Sequence, residues 1–184
     1  MSVEKNIEDL YLMEQIYATI FSLTNKLQIT GDRYLTGLTS RQFMTIIALL
    51  HLPKEEATIS NVARKLGTSK QNTNRMISSI EKLGFVTVVP SNKDKRASNI
   101  LLTEAGQRII NESAEKSTLF MADIFNTMNT SELKVLWSLL QRLYEFDGVK
   151  QDNYKEVVPG VSLDEKQIKK IIEHFSQKRA ESLK

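Results

Sequence analysis

Residues 60–84 read SNVARKLGTSKQNTNRMISSIEKLG, and one pattern occurs twice inside them: a polar cap, a helical period of apolar residues, a glycine stop. Ser60 can cap a helix over 61–66 that Gly67 ends, and Ser69 can cap a second over 70–83 that Gly84 ends. A serine oxygen accepts a first-turn N–H that has no partner inside the helix, and glycine adopts the left-handed conformation at which helices stop. Two helices joined by so tight a turn confine the chain to helix–turn–helix plans.

The residues C-terminal to Gly84 narrow the plan. Residues 85–89 are β-rich and 100–102 form a short apolar run, so the polar stretch between them is the tip of a two-stranded hairpin. That tip carries Lys93, Asp94, Lys95 and Arg96. A helix–turn–helix with such a hairpin after it is a winged helix–turn–helix, whose second helix is the right shape to enter a DNA major groove. In that helix Thr73, Met76, Ile77, Ile80 and Leu83 form the inward set. Lys70, Gln71, Asn72, Asn74, Arg75 and Ser78 remain outward, behind Ser69. Arginine can fork onto guanine O6 and N7, and Asn or Gln can pair with adenine. Ser69 and the first-turn N–H groups can hold a phosphate. No acid appears until Glu81, whereas an ordinary solvated helix carries Glu–Lys pairs at i, i+4. The bland alternative is a solvated helix with a chance run of amides. The hairpin tip is expected to be a wing reaching the adjoining minor groove, with Lys93, Lys95 and Arg96 supplying charge where negative potential is focused. Asp94 is expected to pair with Arg96 and fix the loop; the plainer reading is a turn residue, like Asn92.

Charge supports a polyanion partner. The segment 64–96 holds eight basic and two acidic residues, +6 in a chain whose total is +3, so the remainder is −3. The 184 residues are 41% apolar, enough for a real core, and no apolar run reaches the ~18 residues of a membrane span. The start, MSVEKNIEDL, is charged and lacks the apolar run of a secretory signal. With no Cys there is no disulfide, thiol nucleophile or thiolate metal site, which fits a cytoplasmic protein.

The rest of the chain reads as helices. Residues 7–28 carry two overlapping apolar stripes, one with Ile7, Leu10, Tyr11, Tyr17 and Phe21, the other with Leu12, Ile16, Ile20, Leu23 and Leu27. A single small domain rarely covers a terminal helix on two sides, so a partner chain is expected. Residues 29–38, with two glycines, read as a loop. Thr39 and Gln42 form a capping box for a helix to about Leu52, with Phe43, Ile46, Ile47 and Leu50 facing the core. Thr103 caps a helix to about Met128, and Thr130 or Ser131 another to about Phe146. A polar linker over 147–161 leads to a last amphipathic helix, for which Ser162 and Glu165 suggest a capping box. That helix either extends a dimer interface or packs on its own chain. The expected fold is mainly α: a winged helix–turn–helix with a two-stranded wing hairpin and an all-helical dimerisation region. It divides into 1–38, a dimerisation helix and loop; 39–103, the DNA-binding region; 104–146, helical dimerisation; and 147–184, linker and extension.

From about 38 to 143 the chain resembles the MarR family of multiple antibiotic resistance regulators. The resemblance is densest in LGTSKQNTNRMISSIEKLGFV and, beyond it, DKRASNILLTEAG. Its pieces are I-x-K-L-G-F-V at 80–86, D-x-R at 94–96 and L-T-x-x-G at 102–106, and MNTSELKVLWSLLQRL is similar to the family's penultimate helix. The resemblance implies a bacterial homodimer built through N- and C-terminal helices, each chain presenting one winged helix to a palindromic double-stranded operator. It implies that the stretch from Ser69 to Arg75 faces the major groove, that Asp94 and Arg96 are the wing pair, and that repression is the habitual sign. Where the family often has Arg before the wing, this chain has Val88 and Val89, which shifts phosphate contact onto Lys93 and Lys95.

The same resemblance brings the expectation of a small aromatic or lipophilic effector between the dimerisation and DNA-binding regions, with Tyr11, Tyr17, Phe21, Phe43 and Phe120 as candidates. Aromatics at helical spacing are more often core. No metal or other cofactor is expected: His51 and His174 are far apart with no tight His/Glu cluster, and the absence of Cys excludes thiol sensing. No nucleophile elbow, phosphate-cradling loop or paired-carboxylate motif argues for an enzyme. The rival from another class is a winged helix used as a protein-interaction module, which needs neither an acid-free second helix nor a basic wing.

Overall fold

Capping chemistry sets the element boundaries. The computed structural model describes residues 3–91, 98–151, 154 and 164–182. Among them are seven α-helices: α1 (Val3–Tyr34), α2 (Ser40–Leu50), α3 (Ile59–Leu66), α4 (Lys70–Lys82), α5 (Glu104–Ile124), α6 (Thr130–Tyr144) and α7 (Glu165–Ser182). Strands β1 (Val86–Pro90) and β2 (Ser98–Leu102) lie between α4 and α5. Thr39 and Gln42 make the expected box, and Ser69 and Thr103 cap α4 and α5 through Asn72 N–H and Gly106 N–H.

Three caps differ from expectation. Thr58, not Ser60, caps the first helix of the pair, accepting from Asn61 N–H. Ser60 is exposed, inside the first turn. Asn129, not Thr130 or Ser131, caps α6, because its side-chain oxygen reaches two N–H groups while Glu132 returns a bond to its backbone. Asp164 and Gln167 bond reciprocally before α7, in place of the expected Ser162 and Glu165; Ser162 lies outside the described residues.

The expected loop over 29–38 is largely helix. α1 runs through Gly31 to Tyr34 because tertiary packing outweighs the cost of glycine in a helix, about 1 kcal/mol. A Cβ on Gly31 would sit 2.4 Å from Ser40 Oγ and 3.3 Å from the Phe120 ring, so α2 and α5 approach α1 there. Asp32 accepts the N–H of Ser40 at 2.5 Å, and Arg41 donates to Gln28 at 2.7 Å.

The core sits in the winged-helix unit. Ile46, Val62, Ile77, Ile80, Val86, Ile100 and Ile110 are sealed in one cluster, with Phe43, Leu50, Met76 and Phe85 packed on its edge. α2 is buried on more sides than its expected face, since Ala48 and Leu49 are also buried. β1 and β2 pair antiparallel with Val88 opposite Ile100. On the other side of β2, Ile100 N–H donates to Ala57 O at 2.7 Å, and Thr58 bridges Asn99. The L-T-x-x-G motif is the hinge to α5: Thr103 donates to Gly84 O at 2.7 Å, and a Cβ on Gly106 would lie 2.0 Å from Phe85 O. Only glycine lets that helix start against the hairpin.

The helical half has the opposite character. Between Ile7 and Leu23 of α1, ten large apolar or aromatic side chains are exposed, as are Val135, Leu139, Leu140 and Leu143 of α6. α7 packs on α5 of its own chain, where Lys178 pairs with Asp123 at 2.8 Å and Arg179 caps the end of α5 through Phe125 O and Met128 O. Ile168 and Ile172 of α7 stay exposed. No helix among the described residues is long and apolar enough to cross a membrane.

Candidate nucleic-acid interface

The inward residues of α4 fix which way its polar residues point. Thr73, Ile77 and Ile80 are buried, Met76 is half-buried, and only Leu83, at the helix end, departs from the expected inward set by being exposed. Ser69, Lys70, Gln71, Asn72, Asn74, Arg75 and Ser78 are all exposed. Ser69 Oγ takes the N–H of Asn72 at 3.2 Å, so the outward first-turn donors are those of Lys70 and Gln71. α4 has no acid in its first turn, and its single carboxylate, Glu81, is turned to the hairpin, accepting Val88 N–H at 3.1 Å. The face is cationic, rich in amides and free of carboxylates, a chemistry suited to phosphates and base edges.

The strands carry the hairpin away from the end of α4, converging on the Pro90–Ser98 pair. Its tip, with Lys93, Asp94, Lys95 and Arg96, lies outside the described residues.

The matches to known proteins agree with this geometry. A model of the MarR family matches residues 36–97, from the start of the core unit through the hairpin tip. The transcriptional activatory protein BadR of Rhodopseudomonas palustris is 29% identical over 101 residues, covering 53% of this chain and 58% of BadR. The transcriptional repressor MprA of Escherichia coli is 25% identical over 117 residues, covering 63% of this chain and 66% of MprA. The chain thus matches less than two thirds of either relative. The crystal structure of the organohalide-sensing regulator RdhR-CbdbA1625, in its 2,4-dichlorophenol-bound form, superposes with a TM-score of 0.67 at 18% identity, covering 83% of this chain and 91% of that one. The segment 36–97 belongs to the MarR family.

In this MarR-family segment the outward set of α4 divides in two. Asn72 and Arg75 line a cavity of about 940 Å³ between α4, α2 and the junction of α1 with α5, while Lys70, Gln71, Asn74 and Ser78 do not. Its walls are apolar at Leu27, Met44, Met76, Phe120, Met121 and Ile124, and polar at Gln28, Arg41, Gln42 and Ser79. Gln42 and Ser79 hold one another at 2.8 Å. Of the five aromatic candidates only Phe120 reaches this cavity. Tyr11, Tyr17 and Phe21 stand on the open face of α1, 60%, 75% and 68% exposed, and Phe43 packs on the core. Sequence reading missed Gln28 and Arg41, because the lining comes from five helices and no single period marks it.

Behind Phe120, the ring of Tyr34 packs tilted, with centroids 5.1 Å apart, and its hydroxyl donates to Asp123. That bond, with burial and the carboxylate's charge, raises the Tyr34 pKa. Burial alone would raise Asp123, but bonds from Lys178 and Tyr34 together with the ammonium charge outweigh it and hold the carboxyl below its ordinary value. Among the described residues no group of three His, Cys, Asp or Glu side chains is placed to hold a metal ion.

Proposed function

We propose that the protein is a sequence-specific DNA-binding transcriptional regulator that acts in the cytoplasm as a homodimer on a palindromic operator. The observation that carries this reading is α4 itself. Its Thr73, Ile77 and Ile80 are buried, and the side left to solvent is an acid-free run of Lys, Gln, Asn and Arg. In this reading 39–103 binds DNA, 1–38 and 104–146 dimerise, and the basic wing tip enters the minor groove. BadR is named an activator and MprA a repressor. Repression is the sign we assign here, since it requires only that the operator be occupied.

The cavity beside Arg75 and Phe120 gives release a physical route. An amphipathic effector with an aromatic or lipophilic body would pack on Phe120 and Met121 and present its polar end to Arg41 or Arg75. The neighbour RdhR-CbdbA1625 was crystallised with a chlorinated phenol, a molecule of that kind.

Selection of bound sequences from a random duplex pool tests the reading. The expected result is a palindrome whose half-sites lie about one helical turn, ~34 Å, apart, bound with strong salt dependence. No enrichment, or enrichment of a motif without two-fold symmetry, overturns it.

A further inference from the structure

Two tyrosines from the C-terminal third of the chain converge on the turn of the helix–turn–helix. Gly67, in the left-handed conformation at φ +62°, ends α3 and sets the angle at which α4 departs. Tyr144, the last residue of α6, closes over it: a Cβ on Gly67 would lie 3.0 Å from the Tyr144 hydroxyl. Further along the chain, Tyr154 reaches the same corner. Its hydroxyl donates to Lys65 O at 3.1 Å, one of the last-turn carbonyls of α3 that have no partner within the helix. Its ring lies 5.0 Å beneath the Lys65 ammonium and meets the His51 ring edge-on at 5.2 Å. Lys65 is only 6% exposed, so the tyrosine face covers a nearly buried cation.

Chain connectivity joins the winged-helix unit to the helical half at two places, α1 to α2 and β2 to α5. Both links are braced where they occur, the first by Arg41 on Gln28 and Ser40 on Asp32, the second by Ile110 in the core. The tyrosines add a tie at a different place, the turn that aims α4. We propose that Tyr154, with Tyr144 beside it, is a positioning residue that locks the recognition helix relative to the dimerising helices and so fixes which half-site spacing the dimer accepts. The proposal rests on the homodimer reading above and adds to it a residue and a measurable property. Neither tyrosine touches DNA in this scheme; both act through Gly67 and Lys65.

The test uses the full-length protein and the duplex selected for the wild type, remade with its half-sites one base pair closer and one base pair further apart, plus a duplex with a single half-site. The wild type is expected to prefer the native spacing. Tyr154→Ala is expected to cut that preference by roughly tenfold while binding the single half-site as before. Tyr154→Phe keeps the ring over Lys65 and is expected to restore the wild-type preference. If Tyr154→Ala does not fold, Tyr154→Leu, which keeps apolar cover but lacks both ring face and hydroxyl, takes its place in the same assay. An unchanged spacing preference in the Ala or Leu variant overturns the proposal. So does an equal loss on the single half-site, which marks damage to α4 itself. A wild type that selects no palindrome sinks the homodimer reading first, before any variant is compared.

Discussion

The winged-helix unit and the helical half solve the burial problem differently. In the first, the core closes within one chain: Ile46, Val62 and Ile80 show no exposed surface at all. In the second, α1 and α6 leave their apolar faces bare. Fully burying a large apolar side chain is worth about 1.5–3 kcal/mol, so the ten exposed apolar and aromatic side chains of α1 hold on the order of 10 kcal/mol in reserve. That matches the ~4–15 kcal/mol that association costs. One half is therefore finished by folding, and the other keeps an apolar face that, in the homodimer proposed above, a second copy covers.

The largest expected effect attacks the unfinished half. Leu12 and Ile16 lie on one stripe of α1, 55% and 46% exposed. The double change Leu12→Asp, Ile16→Asp is expected to give a monomer by light scattering and to cost on the order of a hundredfold in operator affinity, because the second half-site no longer binds intramolecularly. Hydrogen exchange at Ile77 and Ile80 should stay slow. A variant that remains dimeric would mean this face is not the interface; loss of protection at Ile80 would mean the two halves are not separable.

Next comes the finished half. Gly106→Ala places a methyl 2.0 Å from Phe85 O, at the seam between β1 and α5. Overpacking of this kind costs about 1–3 kcal/mol, which in a chain of this size lowers the melting temperature by roughly 5–10 °C. Gly84→Ala makes the contrast, since no atom lies within 4 Å of its Cβ and only the φ of +76° is penalised. The contrast fails if the two variants melt alike.

Arg75→Ala bears on the surface that the finished core presents. The expected loss is about 1–3 kcal/mol at the selected operator with relaxed base preference, read by gel shift on operator variants. A uniform loss over all sequences would demote Arg75 to a phosphate contact. Full retention of affinity would place it in the cavity alone, beside Asn72 and Arg41.

The same division explains what could be read from the chain. Where structure is local, residues announce it: Gly67 and Gly84 stop α3 and α4, Thr39 and Thr103 cap, and the period of Thr73, Ile77 and Ile80 fixes the outward face. Where tertiary contacts decide, local signals mislead. Gly31 looks like a stop but is the space into which Ser40 and Phe120 pack. Thr58 outcompetes Ser60 because its backbone also bridges Asn99, far along the chain, and no spacing rule joins them. Exposed aromatics on α1 look like ligand contacts in a list of residues and like an uncovered face in space. Tyr154 offers no signal in the sequence, since its partners His51 and Lys65 lie far upstream in elements it does not extend.

The smallest effect concerns how α7 is held. Glu115 of α5 accepts from His174 at 2.6 Å and pairs with Lys170 at 3.5 Å. The His174 bond is the main cause that holds its carboxyl below the ordinary range, against a smaller opposing effect of burial; the charges of Lys170 and His174 add to the lowering. A carboxyl whose folded pKa lies below its unfolded one contributes stability at neutral pH, and that contribution is lost as pH falls through the lowered value, below about pH 4. Since these groups are a third or more exposed, solvent screening limits the amount to about 0.5 kcal/mol. Glu115→Gln should therefore melt slightly below the wild type at pH 7, with the gap closing as pH drops under about 4. Tryptic cutting at Lys170 and Lys178 should quicken in step. A gap that persists at a pH below the lowered value, where the carboxyl is protonated, would show that Glu115 holds α7 by packing rather than by charge, and α7 would then belong with the finished half of the molecule.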